Sequence, residues 1–302
     1  MKKIAVLIPC YNEQMTIAKV IADFKAVLPE ADIYVYDNNS VDKTIEVAQN
    51  AGAIVREEHR QGKGNVVRTM FREIDADCYL MVDGDGSHPA KYARQMCDMV
   101  LQEGVDMVTG DRLNETYFEH QTRAFHGFGN RLVRGLINKI FNANVKDIMS
   151  GYRALSRPFV KHIPILSKGF ELETEMTIHA LDKNFYIKDI SVEFVERPMG
   201  SVSAMNTYTD GIKVLLTIMR LFRDYRPFMF FSYVALLFLL VSFAMFLPVF
   251  SDWLHTGLVP RFPTLIVSVT MAILGFLFFF CEIVLEVLVK KHRQLFEILM
   301  NK

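Results

Sequence analysis

Short apolar runs alternate with amphipathic stretches through the first third of the chain. The apolar runs predicted to be strands cover residues 4–8, 33–36, 53–55, 78–82 and 106–109. The stretches between them predict helices over residues 17–28, 44–51, 65–74 and 89–103, because apolar residues recur there at helical spacing. Such alternation is typical of a mostly parallel sheet with helices on both faces. The hydrophobic pattern therefore predicts an α/β fold for this part of the chain.

Two long apolar segments dominate the C-terminal end. Residues 228–250 form 23 positions without a charged side chain, and residues 262–281 form another 20. Each segment is long enough to cross a hydrocarbon core of about 30 Å. Only residues 251–261 separate them, so residues 227–302 are predicted to form a transmembrane hairpin with a tail. We place its spans at about 228–250 and 262–289.

A basic segment, residues 207–226, precedes the first span. An apolar stripe runs beside its basic residues, which are Lys213, Arg220, Arg223 and Arg226. This pattern predicts an amphipathic helix lying on anionic lipid, and the alternative is a helix packed on the preceding domain. The predicted domains are therefore a soluble domain over residues 1–206, this juxtamembrane segment, and the hairpin.

The distribution of basic residues predicts the orientation of the hairpin. They cluster before the first span and after the second, at Lys290, Lys291 and Arg293, whereas the connecting loop has only Arg261. The positive-inside rule then puts both termini and the soluble domain in the cytosol. The sequence predicts a multi-pass protein of the cytoplasmic (inner) membrane.

The charge balance and the spacing of the cysteines argue against several classes of protein. The 302 residues include 34 basic and 34 acidic side chains, a balance that argues against a nucleic-acid partner. The four cysteines lack C-x-x-C pairing, which fits a reducing compartment and gives neither a zinc site nor a disulfide framework. The N-terminal apolar run after Lys2 and Lys3 is only about six residues long, too short for a signal peptide, so we interpret it as a strand.

Polar residues follow three of the predicted strands. The first ends in Pro9-Cys10-Tyr11-Asn12-Glu13, the second in Asp37-Asn38-Asn39-Ser40, and the fourth in Asp83-Gly84-Asp85. We expect all three ends to line one edge of the sheet, where ligands bind in open α/β folds. Asp83 and Asp85 suit a hard cation such as Mg²⁺ or Mn²⁺ that also holds phosphate oxygens. The alternatives are an Asp-Gly turn with solvated carboxylates, helix caps and an Asx turn.

The motifs at these strand ends resemble a known family. IPCYNE, DNNSVDKT, GKGNVVR and VDGDGSHP, in that order, are similar to the nucleotide-sugar-binding half of family 2 glycosyltransferases with the GT-A fold. The later GDR, DIMSGYR and GFELETEM resemble the polyprenyl-phosphate sugar synthases, relatives of dolichyl-phosphate mannose synthase. The resemblance covers about residues 4–226. The chain departs from the family pattern at one point. Many members have Asp-Asp-Gly-Ser where this chain has Asp-Asn-Asn-Ser, so it has one carboxylate fewer near the nucleotide.

The resemblance implies roles for individual residues. Those implied to bind the nucleotide sugar are Pro9, Tyr11, Glu13, Asp37, Asn39, Lys63, Asp83 and Gly84. Lys63 would meet the diphosphate, and Asp83 and Asp85 would hold Mg²⁺ or Mn²⁺. The implied catalytic residues are Asp85, Asp147 and Glu173, with Asp147 as a base or an orienting group and Glu173 as a partner of sugar hydroxyls.

Basic residues crowd the segment between these motifs and the membrane spans. They include Arg112, Arg123, Arg131 and Arg134, which are candidates for binding an acceptor phosphate. Arginine grips phosphate bidentately, although a solvated helix face is the alternative interpretation. A phosphate monoester has a second pKa near ~6 and is largely ionised at neutral pH, so its attack needs no strong base.

These observations lead to one main hypothesis and two alternatives. The chain is predicted to move one sugar, from UDP-N-acetylglucosamine or UDP-glucose, to polyprenyl (undecaprenyl) phosphate with inversion, giving a lipid-linked sugar for cell-envelope glycan modification. The resemblance also implies a homo-oligomer, with a tetramer as one form. A processive polysaccharide synthase is disfavoured because Q-x-x-R-W is missing and the single tryptophan, Trp253, lies in the outer loop. An inactive GT-A scaffold is disfavoured because Asp83 and Asp85 are both present.

Overall fold

The computed structural model describes residues 2–111, 134–135, 137–139, 141, 143–169, 171–193, 216, 219–220, 222–224 and 226–300. The chain divides into two compact units, Met1–Thr217 and Ile218–Lys302. This division falls inside the predicted juxtamembrane segment. The predicted boundary at residue 206 and most of that segment lie outside the described residues, so both stay predictions.

The first unit is built around one sheet of seven strands among the described residues. They are β1 Ile4–Cys10, β2 Asp32–Asp37, β3 Ile54–Glu57, β4 Cys78–Met81, β5 Met107–Asp111, β6 Arg153–Ser156 and β7 Ile187–Ser191. Their order across the sheet is β3-β2-β1-β4-β6-β5-β7. β6 pairs antiparallel with both of its neighbours, and the other pairs are parallel. The prediction of a mostly parallel sheet is confirmed.

Six helices of the first unit are fully described. They are α1 Ile17–Val27, α2 Thr44–Asn50, α3 Lys63–Glu73, α4 Ala93–Leu101, α5 Arg157–His162 and α6 Leu172–Asp182. The first three begin and end within about two residues of the predictions, because their apolar positions repeat at helical spacing. The helix predicted over residues 89–103 is instead a short 3₁₀ turn, Ala90–Tyr92, followed by α4.

Two hydrophobic clusters cover the two faces of the sheet. Val6 and Ile8 of β1 belong to one cluster together with residues of α1, whereas Ala5 and Leu7 belong to the other together with residues of α3. Neighbouring residues of a strand point to opposite faces, so a strand covered on both sides has a continuous apolar sequence. The prediction of helices on both faces is confirmed.

Strand β6 has no sequence signal comparable to that of β1. It begins with Arg153, whose side chain is 0% exposed. The guanidinium donates to the carbonyl oxygens of Ser150 (2.9 Å) and Ile148 (2.7 Å) and to Oγ1 of Thr177 (3.0 Å). A buried charge is tolerated where hydrogen bonds satisfy it. Arg153 therefore holds the 147–152 loop against the sheet.

Arg153→Lys is expected to destabilise the first unit by about 2 kcal/mol, because an ammonium cannot reach several acceptors in the planar arrangement of a guanidinium. The thermal unfolding midpoint of the full chain in detergent, followed by circular dichroism, should fall by several degrees. Arg157→Lys is the matched control, since Arg157 is half-exposed and pairs with exposed Asp75. Equal midpoints for the two variants would contradict the structural role of Arg153.

The second unit contains two long helices, α7 Pro227–Thr256 and α8 Phe262–Met300. They pack against each other through small residues: Oγ of Ser242 donates to the carbonyl oxygen of Ser268 at 2.7 Å. A Cβ on Gly275 would lie 2.9 Å from Cγ of Leu239, so the helices approach closely there. Small residues of this kind are typical of helix pairs in membranes.

Both helices are long and apolar enough to cross a membrane, by length and composition. Most of their large apolar side chains are exposed, unlike those of a core helix in a soluble protein. α8 continues to Met300, past the predicted end of the span at residue 289. Glu282 is buried and lies seven residues after Gly275, on the same helix face, whereas Glu286 is half-buried. The two helices are therefore suited to crossing a membrane, and the transmembrane hairpin stays a prediction.

Candidate active site at the carboxyl edge of the sheet

Three polar strand ends meet at one edge of the sheet. β1 lies between β2 and β4 and is parallel to both, with Cys10 opposite Asp37. Beyond the ladder, Oγ1 of Thr16 donates to the carbonyl oxygen of Gly84 at 2.6 Å and ties the segment after β1 to the segment after β4. The prediction that these ends share one edge is confirmed.

Negative charge is concentrated at this edge. Burial raises the pKa of the Cys10 thiol, and the nearby carboxylates of Glu13, Asp37, Asp83 and Asp85 raise it further. One thiol thus lies within electrostatic reach of four of the six carboxylates that the sequence assigned to this site. A cluster with this excess of negative charge favours a cation or the donor groups of a ligand.

Asp37 has one carboxylate oxygen available to a ligand. The residue is 1% exposed, and its Oδ2 accepts a hydrogen bond from the backbone N–H of Ser40 at 2.8 Å. Its Oδ1 is buried and has no hydrogen-bond partner among the residues that the structure describes. A buried carboxylate oxygen without a donor is costly, so this atom is suited to a donor supplied from outside.

Lys63 bridges two carboxylates that are far apart in sequence. Its Nζ donates to Oδ1 of Asp83 at 2.5 Å and to Oε1 of Glu173, on α6, at 2.7 Å. Burial lowers the pKa of Lys63, but the charges of Asp83 and Glu173 outweigh this effect, and the pKa is raised. The lysine is therefore a permanent positive charge between the end of β4 and helix α6.

The glycines on either side of Lys63 allow another segment of the chain to approach the start of α3 closely. A Cβ on Gly62 would lie 2.1 Å from the carbonyl oxygen of Lys168, and one on Gly64 would lie 2.1 Å from that of Ser167. The backbone N–H of Gly64 donates to the Lys168 carbonyl at 3.0 Å. These contacts hold residues 167–168 against the start of α3 and thereby fix the backbone position of Lys63.

The segment after β4 is rigidly held. Oδ1 of Asp85 accepts from the backbone N–H of Ser87 at 2.9 Å and from its hydroxyl at 2.6 Å. Nδ1 of buried His88 accepts from the backbone N–H of Asp83 at 3.1 Å, and the ring packs on Tyr152 with centroids 5.0 Å apart. The sequence analysis missed His88, although it stands within the VDGDGSHP motif.

Asp147 lies in the loop that Arg153 holds. It is 0% exposed, and its Oδ1 accepts from the backbone N–H of Met149 at 3.1 Å. A fully buried carboxylate is shielded from an approaching acceptor. Of the two roles that the resemblance implied, base or orienting group, the geometry favours the orienting group.

The other residues predicted to bind the nucleotide sugar differ in their exposure and in their hydrogen bonds. Pro9 is half-buried in β1, Tyr11 is 45% exposed, and Glu13 N–H donates to Oγ1 of Thr44 at 2.8 Å. Asn39 is exposed and donates to the carbonyl oxygen of His59 and to Oε1 of Gln61, both at 3.0 Å. Asn39 therefore contacts the 59–61 loop, and its contact with the nucleotide stays a prediction.

The predicted phosphate-binding arginines are mostly beyond the structural description. Arg112, Arg123 and Arg131 lie outside the described residues, and Arg134 is half-buried in a helical stretch. The acceptor side of the site thus remains a prediction from sequence.

The carboxylates fit a cation that takes most of its ligands from elsewhere. Within the described parts of the chain, no cluster of three or more His, Cys, Asp or Glu side chains could hold a metal ion. Asp83 and Asp85 would supply two carboxylates to such an ion, beside the Lys63 ammonium that pairs with Asp83. Mg²⁺ is bound in this way, through one or two carboxylates plus substrate phosphates and water.

The sheet is mostly parallel, and acidic side chains lie at the ends of β2, β1 and β4 with Lys63 bound to one of them. This arrangement is typical of the GT-A transferase fold. The crystal structure of Mycobacterium tuberculosis glucosyl-3-phosphoglycerate synthase in complex with Mn²⁺, UDP and phosphoglyceric acid has a similar fold. It aligns with a TM-score of 0.57 over 72% of this chain and 78% of that chain, at 21% identity.

Sequence comparisons identify the family. The family described as Glycosyl transferase family 2 matches residues 5–163. Glycosyltransferase AglJ of Haloferax volcanii is 34% identical over 76% of each chain. An undecaprenyl-phosphate mannosyltransferase of Micrococcus luteus is 26% identical over 66% of this chain and 86% of that protein. The chain belongs to glycosyl transferase family 2 and is a glycosyltransferase.

Proposed function

We propose that this protein transfers one hexose or N-acetylhexosamine from a uridine diphosphate sugar to polyprenyl phosphate at a membrane surface. The observation that supports this most directly is the layout of the site. Asp37, whose Oδ1 has no hydrogen-bond partner among the described residues, lies at the end of β2, and Asp83, paired with Lys63, follows β4 on the other side of β1. The same edge of the sheet thus offers an acceptor for a base and opposite charges for a metal diphosphate.

The hydrogen-bond capacity of Asp37 favours uridine as the nucleoside. Uracil has one N–H donor on its pairing edge, whereas guanine has adjacent donors that pair best with both oxygens of a carboxylate. Oδ2 of Asp37 already accepts from Ser40, so Oδ1 is the oxygen available to a base. With Asn38 and Asn39 in place of a second carboxylate, a base with a single donor fits best.

The chemistry is a displacement at the anomeric carbon. An ionised oxygen of the lipid phosphate forms a bond to that carbon as the bond to the β-phosphate of UDP breaks, which inverts the configuration. Charge develops on the departing diphosphate, where Lys63 can bind it. Asp83 and Asp85 would hold a Mg²⁺ or Mn²⁺ ion, which when bound would supply Lewis-acid stabilisation of the same charge. Glu173 would orient the hydroxyl groups of the sugar. Asp147 would hold the 147–152 loop in place.

The polyprenyl acceptor is supported by the relatives and by the hairpin. One relative is named an undecaprenyl-phosphate mannosyltransferase, and this chain has two apolar helices able to span a membrane. A lipid substrate requires an enzyme at the bilayer surface. We infer a cytosolic catalytic unit on the inner membrane, with both termini in the cytosol, a homo-oligomeric assembly, and a product used in cell-envelope glycan modification.

The test of this function uses the purified full chain in detergent with undecaprenyl phosphate. A panel of radiolabelled sugar nucleotides, including UDP-N-acetylglucosamine, UDP-glucose and GDP-mannose, is supplied with Mn²⁺, and the lipid product is extracted. We expect one uridine-linked sugar to label the lipid fraction as a monosaccharide. Label in a polymer, or label only with the GDP sugar, would contradict the proposal.

The arginine strip offers a separate prediction about the acceptor. Arg112→Ala and Arg123→Ala should each raise the KM for lipid phosphate about tenfold, because a guanidinium loses a charge-assisted bond to phosphate. The KM for the sugar nucleotide should change little. Arg72→Ala, on the exposed face of α3, is the matched control. If the nucleotide KM moves instead, the strip faces the donor and the assignment is reversed.

A further inference from the structure

The side chain of Asn38 is buried at the end of β2 and makes three hydrogen bonds to one loop. Asn38 is 4% exposed, and its Nδ2 donates to the carbonyl oxygens of Glu58 (2.6 Å) and Arg60 (3.0 Å). Its Oδ1 accepts from the backbone N–H of Gly62 at 2.6 Å. One amide thus fixes the backbone of the 58–62 loop at three positions.

Only an amide matches this set of partners. Two of the three partners are carbonyl oxygens, which require a donor, and the third is an N–H, which requires an acceptor. A carboxylate of the same shape would satisfy Gly62 but would place a charged oxygen against the carbonyl oxygens of Glu58 and Arg60. Buried acceptors facing each other without a proton are destabilising.

The loop leads directly to Lys63. Gly62 is the residue before α3 and has a φ of 123°, in the region that favours glycine. Lys63 follows it and reaches Asp83 and Glu173. The position of the Lys63 backbone therefore depends on the Gly62 N–H that Asn38 holds.

Other contacts hold the outer part of this loop. Both oxygens of Glu58 accept from Arg60, and this bonding lowers the pKa of Glu58 to about 2. Nδ2 of Asn65 donates to the carbonyl oxygen of Gln61 at 3.0 Å. Asn39 also joins the loop to the strand that carries Asp37, but Asn38 differs from it in being buried and in contacting the loop backbone at three positions.

We propose that Asn38 is a positioning residue for donor binding. It couples the end of β2, beside the base-binding Asp37, to the loop that presents Lys63 to the diphosphate. This inference rests on the proposed function, because it takes Lys63 as the diphosphate contact. The proposal also gives a role to Asn38, which stands where many family members have aspartate. Here its amide fixes the loop, and the nucleotide site has one carboxylate fewer.

The experiment measures UDP binding by isothermal titration in the presence of Mn²⁺, with the full chain in detergent. Asn38→Asp should raise the Kd for UDP about tenfold, since a buried charge-bearing oxygen displaces the loop from its carbonyl partners. Asn38→Ala, which removes the bonds without adding charge, should have a smaller effect. Asn50→Asp, at the exposed end of α2, is the matched control for charge and should leave the Kd unchanged. Circular dichroism melting identifies any variant that fails to fold.

A double-mutant cycle tests whether Asn38 acts through Lys63. In a Lys63→Met background, Asn38→Asp should change the Kd for UDP by less than about twofold, because the group it positions is gone. Independent, additive effects would overturn the proposal, and so would a parent-like Kd for Asn38→Asp and Asn38→Ala in the normal background. If the parent chain does not bind UDP, the proposed function is wrong. If the parent binds UDP but the Asn38 variants bind it equally well, only the role of Asn38 is wrong.

Discussion

Asp85→Asn is expected to reduce sugar transfer by at least about a hundredfold, since one preorganised electrostatic group of an active site contributes on this scale. Oδ1 of Asp85 accepts two hydrogen bonds from Ser87, and an asparagine oxygen can still accept both. The substitution therefore keeps the local shape and removes one formal charge from the carboxylates proposed to hold the metal. Turnover should be measured with excess Mg²⁺ and with excess Mn²⁺, beside the melting temperature.

Asp23→Asn is the control for this variant. Asp23 lies on α1, is half-exposed and pairs with Lys19, so its neutralisation changes the charge of the same unit away from the site. Its turnover should equal that of the parent. A turnover for Asp85→Asn within about threefold of the parent, a barrier difference of only ~0.7 kcal/mol, would rule out the metal role.

Lys63→Met should have two opposite effects. Donor binding and turnover should fall, with kcat/KM lower by about tenfold to a hundredfold, because a charged contact to the diphosphate is lost. Mn²⁺ binding without nucleotide should tighten, because the ammonium no longer neutralises Asp83 and Glu173. Methionine keeps most of the length and apolar contact of the lysine stem, so the packing around it changes little.

The measurements for Lys63→Met are a Mn²⁺ titration without nucleotide and steady-state kinetics. Lys19→Met, at an exposed position of α1, is the matched control and should change neither. Unchanged Mn²⁺ affinity together with normal turnover would mean that the Lys63 bridge is structural only. Weaker Mn²⁺ binding would place the metal away from Asp83.

The sequence determined the elements whose signals are local. The continuous apolar run of β1 predicted a strand buried on both faces, and the helical spacing of Ile17, Val20 and Phe24 predicted α1. Polar residues directly after apolar runs predicted the edge of the sheet at which both Asp37 and Asp83 lie. These features depend on residues adjacent in the chain, so a pattern can identify them.

The tertiary structure alone decided which distant groups meet. β6 begins with a charged residue, and acceptors from separate segments, among them Ile148, Ser150 and Thr177, make the burial of Arg153 favourable. The same holds for the Lys63 bridge, where Glu173 arrives from 110 positions further along the chain. A buried polar side chain is stabilised by its partners rather than by its own hydrophobicity. Because those partners come from separate segments, neither Asn38 nor His88 could be distinguished by sequence pattern from an ordinary turn residue.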